Sequence, residues 1–118
     1  MNAIVQVLVG LVALEHFYFF ILESVLWTKP LGLKTFRNTP ETAAITRVLA
    51  LNQGVYNGFL VAGLVWALLA GPGMQLYLRV FFLGCVVVAG IVGGLTVSRR
   101  IAFIQAGPAL VALVLAHL

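Results

Sequence analysis

Charge is what this chain most lacks. Only 8% of its 118 residues are charged, and just three are acidic. A soluble domain is about 25% charged and about 45–50% apolar, so this chain cannot coat itself against water. Its 63% hydrophobic content points to lipid as the covering solvent. Cysteine is limited to Cys85, inside an apolar run. That excludes an intramolecular disulfide and makes an inert buried thiol the expected state. Ser24 and Ser98 are the only serines, and neither a Ser/His/Asp arrangement nor a glycine-rich phosphate loop is present. No repeat or low-complexity stretch stands out. The first 27 residues lack the basic start of a signal peptide, and Glu15 interrupts what would be its apolar centre. They read as a retained first helix. The net charge of +4 is not a nucleic-acid footprint, because the seven basic residues gather near the ends of the apolar runs and set orientation there.

A membrane-spanning helix needs about 20 apolar residues. The runs at 3–27, 48–70, 75–97 and 101–118 fit that length and nearly exhaust the chain. The expected fold is therefore an all-α membrane protein, a four-helix transmembrane bundle forming one domain over 1–118. Trp27 suits the membrane–water interface, and Lys29-Pro30 closes the first span. Residues 28–47 form the one sizeable polar loop. Within it, Asn38-Thr39-Pro40-Glu41 reads as a helix start: a polar cap, a proline in the first turn and an acid at the positive dipole end. Gly71-Pro72-Gly73 marks a tight helical hairpin, and Ser98-Arg99-Arg100 a very short turn. Lys29, Lys34, Arg37, Arg47, Arg99 and Arg100 fall on one side and only Arg79 on the other. The positive-inside bias then places both termini on the non-cytoplasmic side, in a multi-pass protein of a cell membrane, expected to be the bacterial inner membrane. Gly54-x-x-x-Gly58 and Gly90-x-x-x-Gly94 have the spacing that lets helix backbones approach closely in lipid. They predict that spans two and three pack against each other.

The functional signal lies in polar groups that lipid disfavours. Glu15 and Glu23 both fall in the first span, and a charged residue at mid-helix costs about 2.5–3.5 kcal/mol on insertion scales. His16 and Glu23 are about 20° from alignment on a helix, with Glu15 about 80° to their flank. Asn52, Gln53, Tyr56 and Asn57 make a second stripe, and Gln105 precedes a Gly107-Pro108 pair that frees a backbone carbonyl. By helical rise, Glu23, Asn52 and Gln105 lie about 6 Å inside, Tyr56 and Asn57 about 12–14 Å, and Glu15 and His16 about 16–18 Å. These depths predict a polar cavity running from the bundle centre to the cytoplasmic side, with Tyr56 or Asn57 as partners for Glu15. A purely structural reading, in which these groups clamp helices together, accounts for the amides better than for two carboxyls and a histidine. The single buried histidine and the absence of thiolates fit no metal motif, and no cofactor is expected. His117, at the chain end, reads as incidental.

Glu15-His16, Leu22-Glu23, the stretch from Asn52 through Asn-Gln-Gly-Val-Tyr-Asn-Gly-Phe-Leu60, Ala89-Gly90 and Gln105-Ala-Gly-Pro-Ala109 together resemble family 1304 of the domains of unknown function. The resemblance covers nearly the whole chain. It implies a small four-span membrane protein of a mainly bacterial family and assigns no activity to any residue. Three functions follow from the residues themselves. The first is binding, with or without catalysis, of a small amphipathic or lipid-derived molecule in the polar cavity. The second is proton-coupled transport by a homodimer, for which small multidrug exporters, with four short spans and an acid in the first, are the analogy. The third is a structural or accessory membrane subunit.

Overall fold

The computed structural model describes residues 2–96 and 99–117, and its regular structure is helical throughout. The helices are α1 (Asn2–Ser24), α2 (Pro30–Phe36), α3 (Pro40–Leu69), α4 (Pro72–Thr96) and α5 (Arg99–Ala116). All but α2 are long and apolar enough to cross a membrane. Their outward surfaces are hydrophobic: Ile45 is 84% exposed, Leu69 81% and Leu95 83%. Water would penalise such a surface and lipid would not. Val97, Ser98 and Leu118, which bound the last two expected spans and the turn between them, lie outside the described residues.

Local chemistry fixes the helix ends. α1 stops at Ser24, short of Trp27. Pro30 then occupies the first turn of α2, where its missing N–H is no loss, so the segment expected to be loop contains a helix. Two contacts hold α2 against the preceding turn. The Trp27 and Phe36 ring centroids are 4.9 Å apart, and a Cβ at Gly32 would collide with the Leu26 carbonyl. The helix closes with Arg37 in the left-handed region (φ 55°, ψ 42°). The Asn38 N–H reaches the Leu33 carbonyl at 3.0 Å, and the Arg37 N–H reaches that of Lys34 at 3.4 Å. This is the paired closure of a Schellman motif with arginine where glycine is usual. α3 starts as its sequence requires: Thr39 Oγ1 accepts from the Thr42 N–H at 3.2 Å, Pro40 begins the helix, and Glu41 sits in its first turn.

The chain packs as two compact units, Met1–Leu14 with Leu60–Leu118, and Glu15–Phe59. The first has an apolar core drawn from four helices: Val5, Val9 and Val12 of α1, Leu64 of α3, Leu83 and Val86 of α4, and Ala109 and Ala112 of α5. The i, i+4, i+7 spacing of the three valines puts them on one face of α1.

The glycine partners differ from those expected. A Cβ at Gly90 would lie 2.7 Å from the Ala106 nitrogen, and one at Gly94 would lie 2.5 Å from Ala102 Cβ. The glycine face of α4 therefore meets α5, not α3. Gly54 and Gly58 of α3 face α1 instead, against Ser24 and Phe20. The small-residue spacing identifies a face that accepts close approach; which helix fills it depends on the rest of the packing. α3 does approach α4 through another glycine, Gly63, which sits against the Phe82 ring.

Residues Ala102–Ala106 of α5 form a π-helical turn, immediately before Gly107-Pro108. A proline ring inside an α-helix clashes with the carbonyl four residues earlier, and widening the preceding turn relieves that clash. The same turn carries Ala102 and Ala106 onto the glycine face of α4.

Candidate functional site

The site is built within the Glu15–Phe59 unit. Gly54 is its hinge of approach: a side chain there would overlap Ser24 Oγ and come within 3.2 Å of Glu23 Cβ. With only hydrogen at that position, α3 comes close enough for Asn57 Nδ2 to donate to Glu23 Oε1. Asn57 is one helical turn beyond Gln53 on the same face of α3, and Gln53 lines a groove beside Glu23.

That groove, about 220 Å³ in volume, is lined by Glu23, Trp27, Asn38, Thr42, Thr46, Leu49, Ala50 and Gln53. Trp27 is a fixed wall, since its indole Nε1 donates to Thr46 Oγ1 at 3.1 Å while Thr46 Oγ1 donates to the Thr42 carbonyl at 2.8 Å. Gln53 is exposed, and no described residue engages its amide. The lining therefore offers a carboxyl, a free amide and hydroxyls, while Trp27, Leu49 and Ala50 supply apolar surface. Such a lining suits a molecule with a small hydrogen-bonding head and an apolar body.

Glu15 and His16 form a separate pair. His16 is fully buried and Glu15 partly so, with Glu15 Oε1 3.9 Å from His16 Nδ1. The His16 ring also meets Phe19 edge-on at 5.5 Å. Glu15 Oε1 is buried and has no hydrogen-bond partner among the described residues, and Asn57, one of its two expected partners, donates to Glu23 instead. The other, Tyr56, is 58% exposed.

The two halves of the α3 stripe thus part company. Gln53 and Asn57 turn toward the groove and Glu23, whereas Asn52 and Tyr56 lie on the exposed surface. Gln105 belongs to the other unit, inside the π-helical turn. Among the described residues, no cluster of three or more His, Cys, Asp or Glu stands in metal-binding arrangement.

Thr42, Thr46, Asn38 and Trp27 are lining residues that the sequence reading passed over. The signal was available for two of them. Thr42, Thr46, Gln53 and Asn57 follow helical spacing on one face, but threonines that cap or back-bond to a helix are common enough to hide the pattern.

Comparison with known proteins agrees with the residue-level resemblance. An uncharacterized protein, YpaA of Lactococcus lactis subsp. lactis, is 31% identical over 116 residues, 97% of each chain. No solved structure matches. Residues 10–117 match the family described as Protein of unknown function (DUF1304), and the chain belongs to that family.

Proposed function

We propose that this is a multi-pass membrane protein that binds a small amphipathic or lipid-derived molecule in the groove beside Glu23. The observation that carries the reading is the Glu23–Asn57 hydrogen bond beside a groove with a free amide and a pinned indole. One Glu23 oxygen takes the Asn57 amide, and the carboxyl also lines the groove, where it can meet a polar ligand head. The basic residues Lys29, Lys34, Arg37 and Arg47 flank the same region of sequence and support a cytoplasmic position for it, with both termini on the opposite side.

The ligand's head carries hydroxyl or amino donors for Glu23 and acceptors for Gln53, and its body is apolar. Purification in a mild detergent followed by mass spectrometry of extracted small molecules tests this. A recurrent amphipathic species should accompany the native protein and be depleted in Gln53→Leu. Equal recovery from both proteins would remove the groove from consideration.

A second reading, proton-coupled transport by a homodimer, draws on a different observation. Asn52 and Tyr56 lie exposed on a helix whose other outward residues include Val48, Leu49, Val55 and Phe59. A second copy would shelter those polar groups from lipid. A protein that is monomeric in bilayer nanodiscs would end that reading.

A further inference from the structure

α4 carries the one basic residue that the orientation pattern leaves on the opposite side. Arg79 is only 5% exposed, although it belongs to a helix apolar enough to cross a membrane. It stands seven residues after Pro72, about 10 Å along the helix axis. A guanidinium keeps its proton in proteins, so its charge must be met by a partner or carried at a desolvation penalty.

Among the described residues none supplies that partner. Two nitrogens of Arg79, Nε and Nη2, are buried without a hydrogen-bond acceptor among the described residues. Its own unit, Met1–Leu14 with Leu60–Leu118, contains no Asp or Glu, since the three acids are Glu15, Glu23 and Glu41. Gln6 Oε1, a buried acceptor in the same unit, is likewise unpaired and is not given to Arg79.

The identity of the two open nitrogens matters more than their number. Nη2 is the terminal nitrogen trans to Cδ, so its N–H and that of Nε lie parallel along one edge of the planar group. That edge is the fork that receives a carboxylate or phosphate through two hydrogen bonds at once.

We propose that Arg79 is an anion-binding residue, and that its Nε/Nη2 edge holds the carboxylate or phosphate oxygens of an oxyanion. The oxyanion belongs to an anionic lipid or to a free solute anion; the chemistry at the edge is the same. This site is separate from the Glu23 groove and does not depend on it.

The test is a titration of the purified full-length protein in neutral detergent, followed by thermal unfolding and native mass spectrometry. The probes are dioleoyl phosphatidylglycerol, oleate, inorganic phosphate and, as an uncharged control, dioleoyl glycerol. The proposal expects at least one anion to bind and raise the melting temperature, with dioleoyl glycerol inert. Binding should weaken roughly tenfold or more in Arg79→Lys, which keeps the charge but lacks the fork. A response to the two lipid anions alone assigns the site to the membrane; an equal response to phosphate assigns it to a solute. Either supports the proposal. Native protein indifferent to all three anions, a response to dioleoyl glycerol equal to that of the anions, or undiminished binding in Arg79→Lys overturns it. The native titration stands by itself if Arg79→Lys fails to fold.

Discussion

Replacing Gly90 with alanine should loosen the contact between α4 and α5, and the structure allows the size of the effect to be worked out. The new methyl carbon would sit 2.7 Å from the Ala106 nitrogen, 2.8 Å from its Cβ and 3.1 Å from its Cα. Ordinary carbon contacts are about 3.5–4.0 Å, so α5 must retreat by roughly 1 Å or the helix must shift. The obstructing atoms include backbone, which cannot swing aside like the tip of a side chain. Overpacking of this kind costs about 1–3 kcal/mol. Against it stands the gain in helix propensity, about 1 kcal/mol for glycine to alanine. Gly84 provides the control within the same helix, because a Cβ there meets nothing within 4 Å. Gly84→Ala should keep the propensity gain and suffer no clash. The difference between the two variants therefore isolates the packing term, about 1–3 kcal/mol in favour of Gly84→Ala. Thermal unfolding in one detergent, monitored by helical circular dichroism, reads this as several degrees at roughly 4 °C per kcal/mol. Equal melting temperatures would refute the reasoning, since they would mean that Gly90 does not lie against Ala106.

Asn57→Ala should destabilise the protein by about 1–2 kcal/mol by leaving the Glu23 carboxyl without its donor; chemical denaturation of this variant beside Glu23→Gln, expected to be milder, checks it. Arg37→Gly should stabilise α2 by about 1 kcal/mol, because Arg37 holds a left-handed conformation that glycine adopts freely; a lower melting temperature would show that the Arg37 side chain contributes more than its strain costs. Single cysteines introduced between residues 28 and 47, on a Cys85→Ser background, should react with an impermeant thiol reagent only after the cytoplasmic face is opened. Labelling from outside intact cells would reverse the topology.

Much of the fold was legible because its causes are local. Thr39-Pro40-Glu41 announces the start of α3 through capping chemistry confined to one turn, and Gly71-Pro72 separates α3 from α4 in the same way. α2 escaped notice because seven residues carry too little periodicity; Gly32 under Leu26 and the Trp27–Phe36 ring contact hold it instead. The glycine pairs showed that α3 and α4 had faces for close approach. They could not show that Ser24 and Ala106 would be opposite, since partner choice depends on every helix at once. The candidate site was legible in part. Glu23, Gln53 and Asn57 stood out as polar groups in apolar runs, and hydropathy alone finds those. The burial of Arg79, by contrast, was hidden: in sequence it looked like an interfacial charge just inside its span. Only the packed structure shows its fork edge covered and unmatched among the described residues.

The groove's claim to a ligand can be read from Trp27 directly. The chain has two tryptophans, and Trp66→Phe leaves Trp27, a lining residue held by Thr46, as the only indole. Single-chain amphiphiles with hydroxyl, amine or methyl-capped heads would be titrated into this variant in nanodiscs while Trp27 emission is followed. Binding beside Glu23 predicts a saturable change in intensity or wavelength for hydroxyl- or amine-headed molecules. That change should be lost in Gln53→Leu and absent with the capped analogue. Trp27 emission that is unresponsive to every head group, or responds identically to all of them, would contradict the account.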